Sequence, residues 1–242
     1  METLKHSVCV IIPCHNESAA IEVLLKEFGK DKPLHRRWNV DVVIVDNNST
    51  DDTAAVATRH GAFVLRETRK GKGYALMAGL RNVSEHHDFV VMMDGDNTYR
   101  PKELKRMLEP LESNFCDAVL GSRMQGKVAA GAMSFPSRVG NWFFSFLVRT
   151  IYRANITDVL TGYFAWKKSA IDKMLPHLES GGFEIEMEMI TKMSKLGIQA
   201  YSVPISYHGR IGESKLNHLV DGYVIMRTFM RNLTWQPRSI RG

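Results

Sequence analysis

Three short polar clusters hold the residues most able to do chemistry: Pro13-Cys14-His15-Asn16-Glu17, Asp46-Asn47-Asn48-Ser49-Thr50-Asp51-Asp52 and Asp94-Gly95-Asp96-Asn97-Thr98-Tyr99. Asp94-Gly95-Asp96 is the sharpest. Side chains two residues apart on extended backbone point the same way, and Gly95 leaves room between the two carboxylates. Such a pair makes half of a site for a hard divalent cation, Mg²⁺ or Mn²⁺, which completes its shell with substrate phosphates. The plainer alternative is a turn with a capping Asp. Asp46 can accept hydrogen bonds from a base or a ribose hydroxyl, but Asp-Asn-Asn-Ser is also good Asx-turn chemistry, so both readings stand. Gly71-Lys72-Gly73 lacks the third glycine of a dinucleotide fingerprint and reads as a turn before a helix, with Lys72 able to reach a phosphate. Arg210-Ile211-Gly212-Glu213-Ser214-Lys215 has no hydrophobic period. It reads either as a solvated loop or as a mobile segment that closes over a diphosphate.

Each cluster follows an apolar, β-branched run. Strands are expected at Val8–Ile12, Val40–Val45, Ala62–Leu65, Phe89–Met93, Ala118–Leu120 and Ala200–Ile205. Helical spacing spans Glu17–Phe28, Thr53–His60, Gly73–Val83, Pro101–Glu112, Arg138–Ile151, Phe183–Leu196 and Leu219–Phe229. Strands without polar alternation, each followed by a helix, indicate a mostly parallel sheet flanked by helices on both faces. In such sheets ligands bind beyond the carboxyl ends of the strands. The three clusters therefore converge on one crevice.

The 242 residues are 44% hydrophobic and 24% charged, which excludes disorder, collagen and coiled coil. No linker or repeat divides them, so one domain over 1–242 is expected. Three cysteines fit no disulfide framework or zinc pattern, and a reducing cytosol suits them. Met1 to Lys5 and the short run stopped by Pro13 do not make a signal peptide, and no apolar stretch approaches the roughly 18 residues a membrane span needs. The net charge of +6 suggests an anionic partner.

In this order, V-I-I-P-C-H-N-E, D-N-N-S-T-D-D-T, M-D-G-D, G-S-R, D-V-L-T-G-Y and R-I-G-E-S-K resemble glycosyltransferase family 2. Within it the arrangement is most similar to dolichyl-phosphate mannose synthases and other polyprenyl-phosphate glycosyltransferases. The resemblance runs from about Val8 to Leu216. It implies a GT-A fold, a single Rossmann-like α/β domain with a nucleotide-binding half over about 1–123 and an acceptor-binding half over about 124–242. It also implies an inverting, metal-dependent transfer of a hexose from a nucleotide-diphosphate sugar to dolichyl or polyprenyl phosphate.

By the same resemblance, Pro13, His15 and Glu17 line the donor pocket with Asp46, Lys72 and Gly95. Asp94 and Asp96 hold Mg²⁺ or Mn²⁺ and the diphosphate. Arg123 and Arg138 grip the acceptor phosphate, and Arg210 with Lys215 clamps the donor. Asn47 replaces a second Asp, Thr98 stands where a metal-binding Gln is usual, and D-G-D replaces D-A-D, so the donor (GDP-mannose, UDP-glucose or UDP-N-acetylglucosamine) stays open. A saccharide acceptor would need a carboxylate base; Glu184, Glu186 and Glu188 are candidates, and Glu188 best matches the family position.

The aromatic run Trp142–Leu147 with Arg138, Arg149 and Arg153 reads either as a core helix or as a surface resting on lipid head groups. The expectation is a cytoplasmic protein bound peripherally to the cytoplasmic face of a membrane, alone or through an anchoring partner. A nucleotidyltransferase would carry a glycine-rich loop after Ile12, which is absent. A glycosyltransferase-like subunit without activity is disfavoured by the intact Asp94/Asp96 pair. Nothing resembles an RNA-binding signature, so nucleic acid is not an expected partner.

Overall fold

The computed structural model describes residues 5–237; the N-terminal reading of Met1–Leu4 and residues 238–242 lie outside it. The elements in order are β1 (Ser7–Cys14), α1 (Ser18–Lys30), α2 (Lys32–Arg37), β2 (Asn39–Asp46), α3 (Thr53–Arg59), β3 (Phe63–Arg66), α4 (Lys72–Arg81), β4 (Phe89–Met93), α5 (Leu104–Glu112), β5 (Ala118–Val128), α6 (Phe135–Ile151), β6 (Tyr163–Lys167), α7 (Lys168–Met174), α8 (Ile185–Lys195), β7 (Ala200–Tyr207) and α9 (His218–Thr234). The strands form one seven-stranded sheet in the order β3-β2-β1-β4-β6-β5-β7. Every pairing is parallel except those of β6, which runs antiparallel to β4 and β5.

β1 shows why the apolar runs lack polar alternation. Cys9 and Ile11 pack into one core with α4, α8 and residues of α6 and α9, while Val8, Val10 and Ile12 pack into a second with α1, α3 and α5. Both faces of the strand are dry, so both sets of side chains must be apolar. The buried face of α1 (Ala20, Ile21, Leu24, Leu25, Phe28) follows the spacing that a helix lying on a sheet requires.

Four differences from the sequence reading have physical causes. β6 was not expected: its five residues, the first four of them buried, follow Thr161-Gly162 with no turn signal that separates strand from loop. β5 continues to Val128 rather than ending at Leu120, because an irregularity between Ser122 and Lys127 carries its polar end along β7. A 3-10 turn occupies Pro101–Glu103, and α5 begins only at Leu104. α6 begins at Phe135, where Ser134 caps it by accepting from the Ser137 N–H. The short helices α2 and α7 were also not expected.

Candidate active site

The strand order reverses between β1 and β4, so their carboxyl ends flank the crevice expected of such a sheet. The loops leaving β1, β2 and β4 each contain an asparagine in the left-handed region: Asn16 (φ 53°), Asn48 (φ 60°) and Asn97 (φ 67°). Asparagine tolerates this conformation better than other side-chain-bearing residues, which lets each loop turn sharply at its strand end. A cavity of about 780 Å³ opens there, within the range of small-molecule sites. Pro13, His15, Glu17, Lys72, Asp94, Gly95, Asp96, Arg123, Arg210 and Lys215 all line it.

At the cavity floor, Lys72 Nζ lies 2.5 Å from Asp94 Oδ1 and 2.6 Å from Glu186 Oε1. Gly71 and Gly73 make this possible by close packing against the Ser180–Gly181 backbone. A Cβ on Gly73 would lie 2.1 Å from the Ser180 carbonyl oxygen, and the Gly73 N–H donates to the Gly181 carbonyl at 2.9 Å. Burial opposes the Lys72 charge, but Asp94 and Glu186 outweigh it and hold the ammonium above its ordinary pKa. Burial pushes the Asp94 and Glu186 carboxyls up, only partly offset by Lys72. Asp96 receives Arg210 Nη2 at 2.9 Å, and Thr98 donates to its Oδ1 from Oγ1 at 2.6 Å and from its N–H at 3.1 Å. Thr98 thus orients Asp96 from behind rather than facing the cavity.

Glu17 is raised to about 7 by burial, with Lys215 opposing. Its Oε1 pairs with Lys215 Nζ at 3.1 Å, and Lys215 also donates to the His15 carbonyl. Among the described residues, the buried Oε2 atoms of Glu17 and Glu186 have no hydrogen-bond partner. Two orphaned carboxylate oxygens in a cavity are acceptors awaiting a ligand.

Three expected residues are placed differently. Arg138 is exposed and does not line the cavity: the cavity-facing stripe of α6 is Ser137, Gly140, Asn141 and Phe144, and position 138 is turned roughly 100° from Ser137. Asp46 is buried and its Oδ1 accepts from the Ser49 N–H at 3.1 Å, so the Asx turn is formed and neighbouring Asn47 lines the cavity instead. Asn47 ties β2 to the loop before α4, donating to the Glu67 and Arg69 carbonyls and accepting from the Gly71 N–H at 2.8 Å. Glu188 does not reach the cavity. Fully buried, it pairs with Lys192 at 2.6 Å and with Arg231 at 3.2 Å, and accepts from the N–H groups of Glu179 and Ser180. Of the three candidate glutamates, Glu186 lines the cavity, while Glu184 accepts from the Gly182 N–H outside the lining.

Arg123 lines the cavity but is held by a buried partner. Its Nε and Nη2 bind Asp158 at 2.8 and 2.7 Å, and Nη2 also donates to the Leu160 carbonyl, which leaves Nη1 without a hydrogen-bond partner among the described residues. Asn141, not foreseen, joins this cluster through Nδ2 to Asp158 at 2.7 Å and also lines the cavity. Only the i, i+4 pattern of its helix face could have marked it.

The donor set of Asp94 and Asp96 suits a hard divalent cation, and Gly162 makes room for the Asp94 carboxylate: a Cβ there would lie 1.9 Å from Asp94 Oδ2. Five acidic and five basic residues line the cavity, so a bound dication would turn a formally neutral pocket cationic. That is the electrostatics a diphosphate and a second phosphate require.

The family model for "Glycosyl transferase family 2" matches residues 9–175. The chain is 32% identical over 230 residues to "Glycosyltransferase AglJ" of Haloferax volcanii, covering 93% of this chain and 71% of that protein. It is 30% identical over 246 residues to "Undecaprenyl-phosphate mannosyltransferase" of Micrococcus luteus, covering 97% of each. Among solved structures, glucosyl-3-phosphoglycerate synthase of Mycobacterium tuberculosis, determined with Mn²⁺, UDP and glucosyl-3-phosphoglycerate, superposes with a TM-score of 0.73. Its identity is 21%, over 97% of this chain and 82% of that one. The cavity therefore belongs to a GT-A glycosyltransferase, and the chain is a member of glycosyl transferase family 2.

Proposed function

We propose that this glycosyltransferase moves a hexose from a nucleoside-diphosphate sugar to a polyprenyl or dolichyl phosphate at a membrane surface, inverting the anomeric carbon. The observation that carries this reading is one cavity with a charged floor and an apolar mouth. The floor is the Asp94–Lys72–Glu186 and Asp96–Arg210 constellation. The mouth runs between α6 and α9, with Met133, Pro136, Phe144, Leu216 and Ile225 in its lining.

The outer faces of these helices are strongly apolar. Phe135, Trp142 and Phe146 on α6 are 79%, 60% and 53% exposed, and Leu219 and Tyr223 on α9 are 86% and 71% exposed. Arg138, Arg149, Arg153 and Arg227 are exposed on or beside the same helices. Aromatic side chains beside cations suit the boundary of an anionic bilayer. No helix among the described residues is long and apolar enough to cross a membrane. The association we propose is peripheral, on the cytoplasmic face, with or without an anchoring partner. The Micrococcus relative, named for an undecaprenyl-phosphate acceptor and aligned over 97% of both chains, supports the same acceptor class.

A lipid monophosphate is already anionic at neutral pH and needs no strong general base. Asp94 and Asp96 would hold Mg²⁺ or Mn²⁺, which supplies charge neutralisation on the leaving diphosphate. Arg210 and Lys215, on the loop between β7 and α9, bind and orient the donor phosphates. The orphaned Glu186 oxygen accepts a sugar hydroxyl. Arg123, fixed by Asp158, presents Nη1 for the acceptor phosphate. In this reading Glu17, Lys72, Asp94 and Asp96 from the first half meet the donor together with Glu186, Arg210 and Lys215 from the second, and the acceptor lies between α6 and Arg123.

The test is transfer of radiolabelled sugar into solvent-extractable lipid, with Mn²⁺ or Mg²⁺, short-chain dolichyl phosphate, and GDP-mannose, UDP-glucose or UDP-N-acetylglucosamine in turn. Label from one donor, lost in Asp96→Asn, is the expected result and names the sugar. Nucleotide binding with no lipid label from any donor refutes the lipid acceptor in favour of a saccharide or small molecule.

A further inference from the structure

At the end of the sheet opposite the cavity, three potential ligand side chains converge. Asp41 sits near the start of β2, and His86 and His87 immediately precede β4; β1 lies between those two strands. One ligand atom from each of the three lies within 4.8 Å of the others. His87 Nε2 is 3.0 Å and His86 Nε2 3.9 Å from Asp41 Oδ2. In a tetrahedral zinc site with bonds of about 2.0–2.1 Å, neighbouring ligand atoms are separated by about 3.3 Å, so small side-chain rotations close this set around an ion.

The hydrogen bonding of His87 supplies a second, independent observation. Its ring is buried, and its Nδ1 faces the Ser84 carbonyl at 3.3 Å while its Nε2 faces the Asp41 carboxylate. Both partners are acceptors. A neutral imidazole has one N–H to share between them, and a carbonyl at Nδ1 is the arrangement that turns Nε2 into a metal ligand. Nearby carboxylates are otherwise engaged: Asp88 accepts from the Ser7 N–H at 2.9 Å and pairs with His6 at 3.2 Å, and Glu85 pairs with Lys168 at 3.0 Å. The set is thus two imidazoles and one carboxylate, with solvent to complete the shell. Asp41 and His86 side chains are 63% and 62% exposed, so an ion enters directly from water.

We propose that Asp41, His86 and His87 bind a Zn²⁺-class divalent ion that clasps the start of β2 to the segment leading into β4. Imidazole-rich sets favour zinc and its neighbours, whereas the all-oxygen pair Asp94/Asp96 favours Mg²⁺ or Mn²⁺. The two sites therefore select different ions, and this one does not depend on the transferase reading.

The test is calorimetric titration of the untagged, chelator-stripped chain with Zn²⁺, in millimolar Mg²⁺ to occupy the cavity carboxylates, alongside thermal melts. The wild-type chain should take up one Zn²⁺. Its melting temperature should rise by about 5–10 °C when free zinc is ~100-fold above Kd. Asp41→Asn and His86→Ala, both at exposed positions, should each weaken uptake at least ~10-fold and abolish the melting shift. Equal zinc uptake by wild type and both variants means scattered surface binding and overturns the proposal. So does a wild-type melt that zinc leaves unchanged, which would make the cluster a hydrogen-bonded His–Asp contact only.

Discussion

Replacing Lys72 by Met removes the cation that Asp94 and Glu186 share while keeping the length of the side chain. The three side chains are 13%, 26% and 6% exposed, so little solvent screens the loss. Breaking a buried pair by removing one partner costs about 3 kcal/mol, which for a chain of this size lowers Tm by about 6–12 °C. The pH dependence identifies the cause. Both carboxyls are already raised by burial, and losing Lys72 raises them further. A carboxyl whose folded pKa lies above its unfolded value binds more protons when folded. Its favourable contribution is complete below the unfolded pKa and is lost as pH rises through the folded one. The deficit of Lys72→Met should therefore be largest near pH 8 and shrink to about 1 kcal/mol or less near pH 5. Urea denaturation of wild type and variant across that range reads it directly. Adding Mn²⁺ at pH 8 should stabilise the variant more than the wild type, because the cation no longer competes with an ammonium for Asp94. A deficit that is small or independent of pH would show that Lys72 does not neutralise this pair.

Other perturbations follow the same logic. Glu17, raised to about 7, costs stability once ionised, so Glu17→Gln should gain about 2 kcal/mol at pH 8 and nothing at pH 5, read by denaturant midpoints. Gly162→Ala places a Cβ where Asp94 now sits, and should reduce sugar transfer at least ~100-fold in a chain that still folds by circular dichroism. Trp142→Ser and Phe146→Ser, at exposed positions on α6, should each weaken sedimentation with anionic vesicles by about 10-fold or more while sparing transfer to a short-chain acceptor in detergent.

The first half of the fold was readable because its elements are local. An apolar strand, a polar cluster at its end and a helix beyond repeat along residues 7–112, and the parallel topology then forces the clusters together. What could not be read is which side chain satisfies which. Asp46 and Asp94 both end strands, yet the backbone of Ser49 claims the first and leaves the second to Lys72. Glu186 and Glu188 lie two residues apart on one helix, and only the packing of α8 against α9 and the 179–180 loop decides that 186 meets the cavity while 188 is consumed by Lys192 and Arg231. The antiparallel β6 escaped because a run of four buried residues carries no period that separates strand from helix.

The pairing at the cavity floor bears on the order of events. Asp94 and Asp96, the two carboxylates suited to a divalent ion, are capped by Lys72 and Arg210, with Arg210 held above its ordinary pKa by Asp96 although burial opposes it. A dication arriving alone must displace at least one of these cations and leave it facing like charge. A dication arriving with a diphosphate gives Arg210 a new anionic partner at the moment it releases Asp96, while Lys72 keeps Glu186 as it releases Asp94. The second route exchanges ion pairs without leaving a buried charge bare, and a bare charge costs more than any single pair contributes. Metal and donor should therefore bind with positive cooperativity: Mn²⁺ affinity measured with nucleoside diphosphate present should exceed that without it, and Arg210→Gln, which frees Asp96 beforehand, should shrink the difference.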